Sequence, residues 1–324
     1  MSMEALNISL VLPDAGVPLG LESQNFEPKF PIFRPLQVYD KAKIIEVTQK
    51  FQPLAAINFL SLLSWGQTQI SYLNSNLVLA TLDVIENKII YTLLGIKNIK
   101  KSVAEIFALQ QAQGIVPALH LIPEEILLNA VDLHRHFSIQ LDRGNCSYVY
   151  AIKPFLEHFS SMRTHRNLFN RFKANYAIMD FPLHNLSDDL VFNNVLQIFT
   201  QWQVEKNRTN EEVRLELEAL MKMRDQAIHF NLYVLFLIVE NNIIGFHIIE
   251  FSSQKHLIRH IGKVLAGYLG ADEMMYYKEA QMCLAIGYEY INTGEDHNIA
   301  GLRSHKESYH PTFLVKSYSI FSNN

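Results

Sequence analysis

The run GYEYINTGEDHNIAGLRSHKESYHPTFLVKS, residues 287–317, reads as strand, polar loop, short helix and strand. The first strand is expected at 288–291, the loop at 292–298, the helix at 301–307 and the closing strand at 313–318. Two strands joined by a helical crossover form a βαβ-like return. The loop carries Glu295, Asp296 and His297. Ligands of open α/β sheets sit beyond the carboxyl ends of strands, so this loop is the first place to look for chemistry.

Working outward, residues 271–286 read as a helix and 256–261 as a strand. Residues 232–239 and 243–251 read as a strand pair closed by a tight turn at Glu240-Asn241-Asn242. Helices are expected at 187–204 and 210–228, the second with Glu211 and Glu212 in its first turn. A strand is expected at 176–181 and a helix at 157–173. The first half runs in a similar order. It has a lead-in at 31–36, helices at 40–51 and 57–65, and strands at 69–72, 77–82 and 88–94, with Glu86-Asn87 as the last turn. A helix at 100–113, a strand at 118–122, a helix opened by Pro123, and strands at 137–141 and 147–152 follow. Residues 1–30 read as an N-terminal extension, 31–152 as a first domain and 153–324 as a second. The fold class is α/β, two domains each built on a mixed, mostly antiparallel sheet flanked by helices.

The chain of 324 residues is 49% hydrophobic and 19% charged, which excludes general disorder. Its net charge of −4 argues against wrapping nucleic acid over the whole surface, while leaving a local basic patch open. Cys146 and Cys283 give neither a disulfide framework nor zinc-finger spacing. No secretory signal is visible, and the most apolar run, 230–251, is broken by Glu240-Asn241-Asn242. No membrane insertion is expected, and the expected compartment is the cytoplasm.

Three sets of residues carry a resemblance. The first is Tyr290-Ile291-Asn292, Glu295-Asp296, Gly301-Leu302-Arg303, Lys306 and Ser308-Tyr309-His310-Pro311. The second is His165-Arg166-Asn167 with Asn170-Arg171-Phe172, and the third is Asn58 with Trp65. Together they resemble a bacterial family of phosphatidylglycerol-lysyltransferase C-terminal-like proteins, over residues 33–318. The resemblance implies a tandem fold of the GNAT acyltransferase type. It also implies a relation to enzymes that move an amino acid from aminoacyl-tRNA onto a lipid or peptidoglycan precursor. Under it, Asn292, Asn167 and Arg171 join the substrate-binding set. The chain departs from the family pattern at Thr293-Gly294, where a charged residue is usual, and at Ser304-His305, which stands for a Lys-Ala pair.

Acyl or aminoacyl transfer needs a polarised carbonyl, a deprotonated nucleophile and both reactants in register. Asp296 fits two roles: orienting or deprotonating an amine, or capping the helix that begins near Ile299. Glu295 divides the same way. Arg303 and Lys306 are three apart and share a helix face, suited to a phosphate or carboxylate, or to ion pairs on a solvated face. Tyr309 fits a general acid or a packed ring with its hydroxyl satisfied.

Between residues 151 and 180, five basic side chains face two acidic ones, a net +3. Met162, His165, Phe169, Phe172 and Tyr176 form an apolar stripe, with His165 read as a satisfied core histidine. Arg163, Arg166, Asn170 and Lys173 fall off the stripe, available to tRNA or headgroup phosphates or simply solvated.

Arg259-His260-Ile261-Gly262-Lys263-Val264 resembles the pyrophosphate loop of acetyl-CoA-binding GNATs, but Val264 stands where a small residue is needed. His134-Arg135-His136 would share a strand face, without a third metal ligand. The Met274-Met275-Tyr276-Tyr277 run reads as core.

The expected activity is transfer of an aminoacyl group to an amine or hydroxyl, with aminoacyl-tRNA as donor. No separate cofactor or metal is required. The alternatives are an acyl-CoA-dependent N-acetyltransferase and a non-catalytic binding module on the same scaffold. The expected partner is a tRNA acceptor end or another phosphate-bearing ligand, and the sequence leaves the oligomeric state open.

Overall fold

The computed structural model describes residues 27–83, 88–178, 182–207, 210–252 and 255–323, the side chains of 210–212 excepted. The expected extension over 1–26, the turn at Glu86-Asn87, the Glu211 and Glu212 side chains and the end of the strand expected at 176–181 lie outside those residues.

In chain order the early elements are β1 (Arg34–Pro35), α1 (Lys41–Thr48), α2 (Phe59–Ser64), β2 (Gln67–Leu73), β3 (Asn76–Asp83), β4 (Lys88–Leu94) and α3 (Ile99–Ala112). Then come β5 (Ala118–Pro123), α4 (Glu124–Leu128), β6 (Phe137–Leu141), β7 (Ser147–Ala151), α5 (Ile152–His158), α6 (Arg163–Asn175) and β8 (Leu183–Asn185). The chain goes on through α7 (Asp189–Lys206), α8 (Asn210–Gln226), β9 (Leu232–Val239), β10 (Asn242–Phe251), β11 (His256–Val264) and α9 (Ala271–Ala285). It closes with β12 (Tyr290–Asn292), α10 (Ala300–Ser308), β13 (Phe313–Val315) and β14 (Ser317–Ser322).

The mixed α/β class with mostly antiparallel sheets is as expected, but the domain boundary is not. The chain divides into two compact units that interleave along the sequence. One holds residues 27–50, 66–140 and 318–323; the other holds Phe51–Trp65 and Leu141–Ser317. A cut at 152/153 therefore misplaces α2, β7 and β14. The reason is strand pairing, which is non-local and leaves no trace in local periodicity.

The first unit contains the sheet β1-β2-β3-β4, antiparallel throughout, and the sheet β5-β14-β6. His134 falls in a 3-10 turn (Leu133–Arg135), and His136 follows as its C-cap, so the two imidazoles do not share a strand face.

The second unit is built on one sheet of order β13-β7-β12-β11-β10-β9-β8. The β9–β10 hairpin turns through Glu240 (φ 49°) and Asn241 (φ 66°), the left-handed pair a tight hairpin needs. β12 and β13 are the two strands of the expected βαβ return, yet they are not neighbours. β7 lies between them, antiparallel to both. β11 and β12 form the sheet's parallel pair, and their register ends at Ile258↔Asn292 while β11 continues to Val264. Beyond that point the two strands part, which opens the sheet at the carboxyl end of β12.

Helices pack on this sheet. Met274 and Met275 of α9 and Phe172 of α6 pack on Leu235, Leu237 and Ile244, so the Met-Met pair is core as expected. Gly270 (φ 94°) precedes α9. A Cβ there would lie 2.1 Å from the Leu168 carbonyl oxygen, so glycine lets α6 approach the start of α9. The one helix expected at 157–173 is two helices, separated by a 3-10 turn at Phe159–Ser161. Ser161 Oγ donates to the His158 carbonyl at 2.6 Å, a local bond that competes with helix continuation.

Candidate active site

A cavity of about 160 Å³ lies where β11 and β12 diverge. β11 contributes Arg259, His260 and Gly262; β12 and the loop after it contribute Ile291 and Thr293. Tyr150, Ile152 and Phe155 come from β7 and α5, Tyr276 from α9, and Leu302, His305, Lys306 and Tyr309 from α10 and its end. Four lining residues thus come from the segment 301–309 quoted at the outset.

A buried ion pair backs the wall. Arg259, buried, donates from Nε to Glu279 Oε1 at 3.1 Å and from Nη2 to Oε2. Its guanidinium also sits 4.3 Å from the centroid of the Tyr276 ring. Burial pushes the Glu279 carboxyl up, but Arg259 and His247 outweigh this and hold it near 2. The stretch that resembles a pyrophosphate loop, already at odds with it at Val264, is not a loop. Arg259, Gly262 and Val264 belong to β11, and Gly262 faces His247 across the β10–β11 pairing. A Cβ at Gly262 would lie 2.7 Å from the His247 ring, so glycine here serves close side-chain packing.

Lys306 is 8% exposed. Its ammonium donates to the Thr293 carbonyl at 2.5 Å, the Gly294 carbonyl at 3.1 Å and Thr293 Oγ1 at 3.3 Å. No carboxylate lies within ion-pair distance among the described residues. Burial lowers its pKa to about 8. Next to it on α10, His305 Nε2 is 3.0 Å from the Tyr276 hydroxyl. Burial, with Arg259, lowers the His305 pKa against the opposing pull of Asp272 and Glu273. Burial raises that of Tyr276.

Tyr309 forms wall through its ring, which stacks on His165 at 3.9 Å and meets Tyr276 edge-on at 4.8 Å. Its hydroxyl donates to Glu273 Oε1 at 3.4 Å. His165 Nδ1 lies 3.1 Å from the same oxygen, and its Nε2 lies 3.1 Å from Ser308 Oγ. His165 is thus fully engaged, as its place in the apolar stripe suggested, and it ties α6 to the end of α10.

Asp296 is remote from base chemistry. It is 0% exposed and surrounded by donors. Oδ2 accepts from Tyr148 at 2.6 Å, Arg303 Nε at 2.8 Å and Arg143 at 3.0 Å; Oδ1 accepts from Arg303 Nη2 and the Asn298 amide, both at 2.8 Å. Burial opposes the charge, but the Arg303 and Tyr148 bonds and the Asn298 amide outweigh it. The carboxyl is held well below the usual carboxylate range. A carboxylate with five donors and a depressed pKa takes up no proton near neutrality. Nor is Asp296 or Asn298 the helix cap: Ile299 occupies that position without a side-chain bond.

The other residues singled out in the sequence divide in the same way. Arg303 is spent on Asp296 and on Asn298 Oδ1. Glu295 accepts from Ser147 Oγ at 2.6 Å and the Ala56 amide at 3.1 Å. Asn292, fully buried, donates to the Pro53 carbonyl and accepts from the Gly294 amide, so it shapes the bend after β12. On α6, Arg163, Asn167 and Arg171 are exposed, while Arg166 is half-buried and donates to the Ser160 carbonyl. None of the four lines the cavity.

Sequence reasoning missed Tyr276, His305 and Arg259. The signal for Arg259 was a charge inside an apolar strand, HLIRHI, since such charges are buried only when paired. For His305 it was the departure from the family's Lys-Ala pair.

The sheet parts beside its parallel pair and leaves a cavity in the gap, on a mixed α/β architecture with mostly antiparallel sheets. The chain belongs to the family of phosphatidylglycerol lysyltransferase C-terminal domains, whose model matches residues 58–321. Among solved structures it is similar to a conserved protein of unknown function from Bacteroides thetaiotaomicron. That likeness has 21% identity and a TM-score of 0.76, covering 90% of this chain and 99% of that one. It is also similar to the C-terminal domain of a putative lysylphosphatidylglycerol synthetase from Agrobacterium fabrum, at 15% identity and a TM-score of 0.60, over 88% and 93% of the chains. The L-PGS structure from Bacillus licheniformis resembles it at 15% identity and a TM-score of 0.59, over 88% and 92%. These likenesses speak to fold. No curated protein sequence matches the chain. Among the described residues, no helix is long and apolar enough to cross a membrane.

Proposed function

We propose that this protein is an aminoacyltransferase that takes its aminoacyl group from a tRNA end and passes it to an amine or hydroxyl acceptor. The observation that carries the reading is Lys306, a buried ammonium on the cavity wall, held by oxygens of Thr293 and Gly294 with no carboxylate within ion-pair distance among the described residues. A buried cation of this kind stabilises the oxyanion that forms when an ester carbonyl is attacked. Thr293 Oγ1 is the longest of its three contacts and lines the cavity, so it is the one a substrate oxygen replaces.

The nucleophile must lose a proton. Tyr276 and the neutral His305 are the hydrogen-bonded pair on the wall suited to carry it. Asp296 and Arg303 position the loop and α10 that present these groups. The exposed cations Arg163 and Arg171, with Arg166 and Asn167, are assigned to the tRNA phosphates. With charged tRNA as donor, the reaction would belong to the cytoplasm.

An acyl-CoA donor fits less well. Arg259 is committed to Glu279 inside a strand, and the first turn of α9 carries Asp272 and Glu273, which repel a pyrophosphate.

Thermal-shift measurements with a nonhydrolysable aminoacyl-adenosine amide, acetyl-CoA and buffer test the donor, since a ligand that binds the native state raises the midpoint. A shift with the aminoacyl analogue, reduced in Lys306→Met, is expected. A shift with acetyl-CoA alone would assign an N-acetyltransferase instead. Binding without any transfer of label from aminoacyl-tRNA to an amine would leave a binding module.

A further inference from the structure

We propose that the cavity selects an aminoacyl group with an uncharged, largely apolar side chain and rejects a lysyl one. This inference rests on the aminoacyl reading of the site and concerns what that site accepts.

Two cations line the cavity, Lys306 and the Glu279-paired Arg259, beside His260 and His305, and no carboxylate does among the described residues. The acidic groups nearby are each committed elsewhere. Glu279 is held by Arg259 and His247, Glu250 by His260 at 2.8 Å, and Glu273 by His165 and Tyr309. Asp272 also lies outside the wall. A lysyl ε-ammonium entering this space would exchange water for a wall without a carboxylate and would lie beside the Lys306 ammonium. Burying an unpaired charge is among the costliest changes a site can impose.

The remaining wall suits the opposite chemistry. Ile152, Ile291 and Leu302 give it aliphatic surface, and Tyr150 and Phe155 give it ring faces. A volume of about 160 Å³ is that of one side chain. A leucyl-sized group fills it while leaving the reacting ester at Thr293 and Lys306.

The test compares leucyl- and lysyl-adenosine amides by calorimetry, on wild type and on Leu302→Asp. Both probes carry the same α-ammonium and adenosine, so the difference isolates the side chain. Leu302 is half-buried in the first turn of α10, where an acidic residue is compatible with the helix. Leucyl binding at least about tenfold tighter than lysyl is expected in wild type. Leu302→Asp should narrow or reverse that ratio by supplying the missing carboxylate. Lysyl binding equal to or tighter than leucyl in wild type would overturn the selectivity while leaving the aminoacyl donor intact. Binding of neither probe would overturn the donor reading, and the selectivity with it.

Discussion

The Tyr276 hydroxyl and His305 Nε2 are 3.0 Å apart on the wall of one cavity, joining α9 to α10 through a single hydrogen bond between two neutral groups. The Arg259 guanidinium over the Tyr276 ring favours negative charge building on that tyrosine. In the transfer proposed above, the acceptor's proton would go to the Tyr276 oxygen while the Tyr276 proton passes to His305.

Removing the hydroxyl should therefore cost turnover more than binding. Tyr276→Phe is expected to lower the single-turnover transfer rate by about 10²-fold or more, with analogue affinity unchanged. The pH profile reports His305. Its pKa lies below the ordinary 6.5, so transfer should fall on the acid side of that value as the imidazole protonates. Asp272, Glu273, Arg259 and His165 set its position, and His305→Gln should erase the acid limb. An unchanged limb would remove His305 from the relay.

Lys306 makes a stability prediction with a definite sign. Its folded pKa is about 8 against an ordinary 10.5. Between those values the unfolded chain binds the proton that the folded chain has released. Folding stability from this group therefore rises with pH there, by at most about 1.4 kcal/mol per pH unit. Urea unfolding at pH 8 and pH 10 should show Lys306→Met lacking this rise relative to wild type. Parallel curves would place the lysine in a more solvated setting.

Asp296 behaves in the opposite sense. Its depressed pKa contributes stability at neutral pH that is lost as the pH falls below the ordinary carboxylate range. Asp296→Asn leaves Arg303 and Arg143 facing a neutral amide and should lower the stability of the fold at pH 7. The gap to wild type should shrink at pH 3. A stable variant with abolished transfer would instead return the carboxylate to the chemistry.

The cations of α6 are testable by salt. If Arg163, Arg166 and Arg171 meet tRNA phosphates, their combined replacement by Ala should weaken tRNA binding and lower the slope of log affinity against log salt by about 2. Adenosine-analogue affinity should stay the same, because none of the three lines the cavity. An unaltered slope would make them a solvated face.

Much of this was legible in the sequence because it is local. The β9–β10 hairpin announced itself through Glu240-Asn241, α9 through its helical run, and the closing segment through its strand-loop-helix-strand order. The site was legible in place but not in detail. Lys306 and Tyr309 line the cavity, whereas Asp296, Arg303 and Asn292 are spent on one another and on backbone. Proximity of a carboxylate to a strand end carries no information on how many donors surround it. Tyr276 and His305 are 29 residues apart, and only packing of α9 against α10 reveals them as a pair.

The threading of the chain has a hereditary consequence. Residues 51–65 and 141–317 make one unit, and the flanking pieces make the other. No single breakpoint in the gene yields either unit whole. A truncation that spares the cavity must still discard the strand β14 that completes the three-stranded sheet of the other unit, or carry that unit's segment 66–140 along. A single exchange of gene ends therefore cannot swap one unit and leave the other whole.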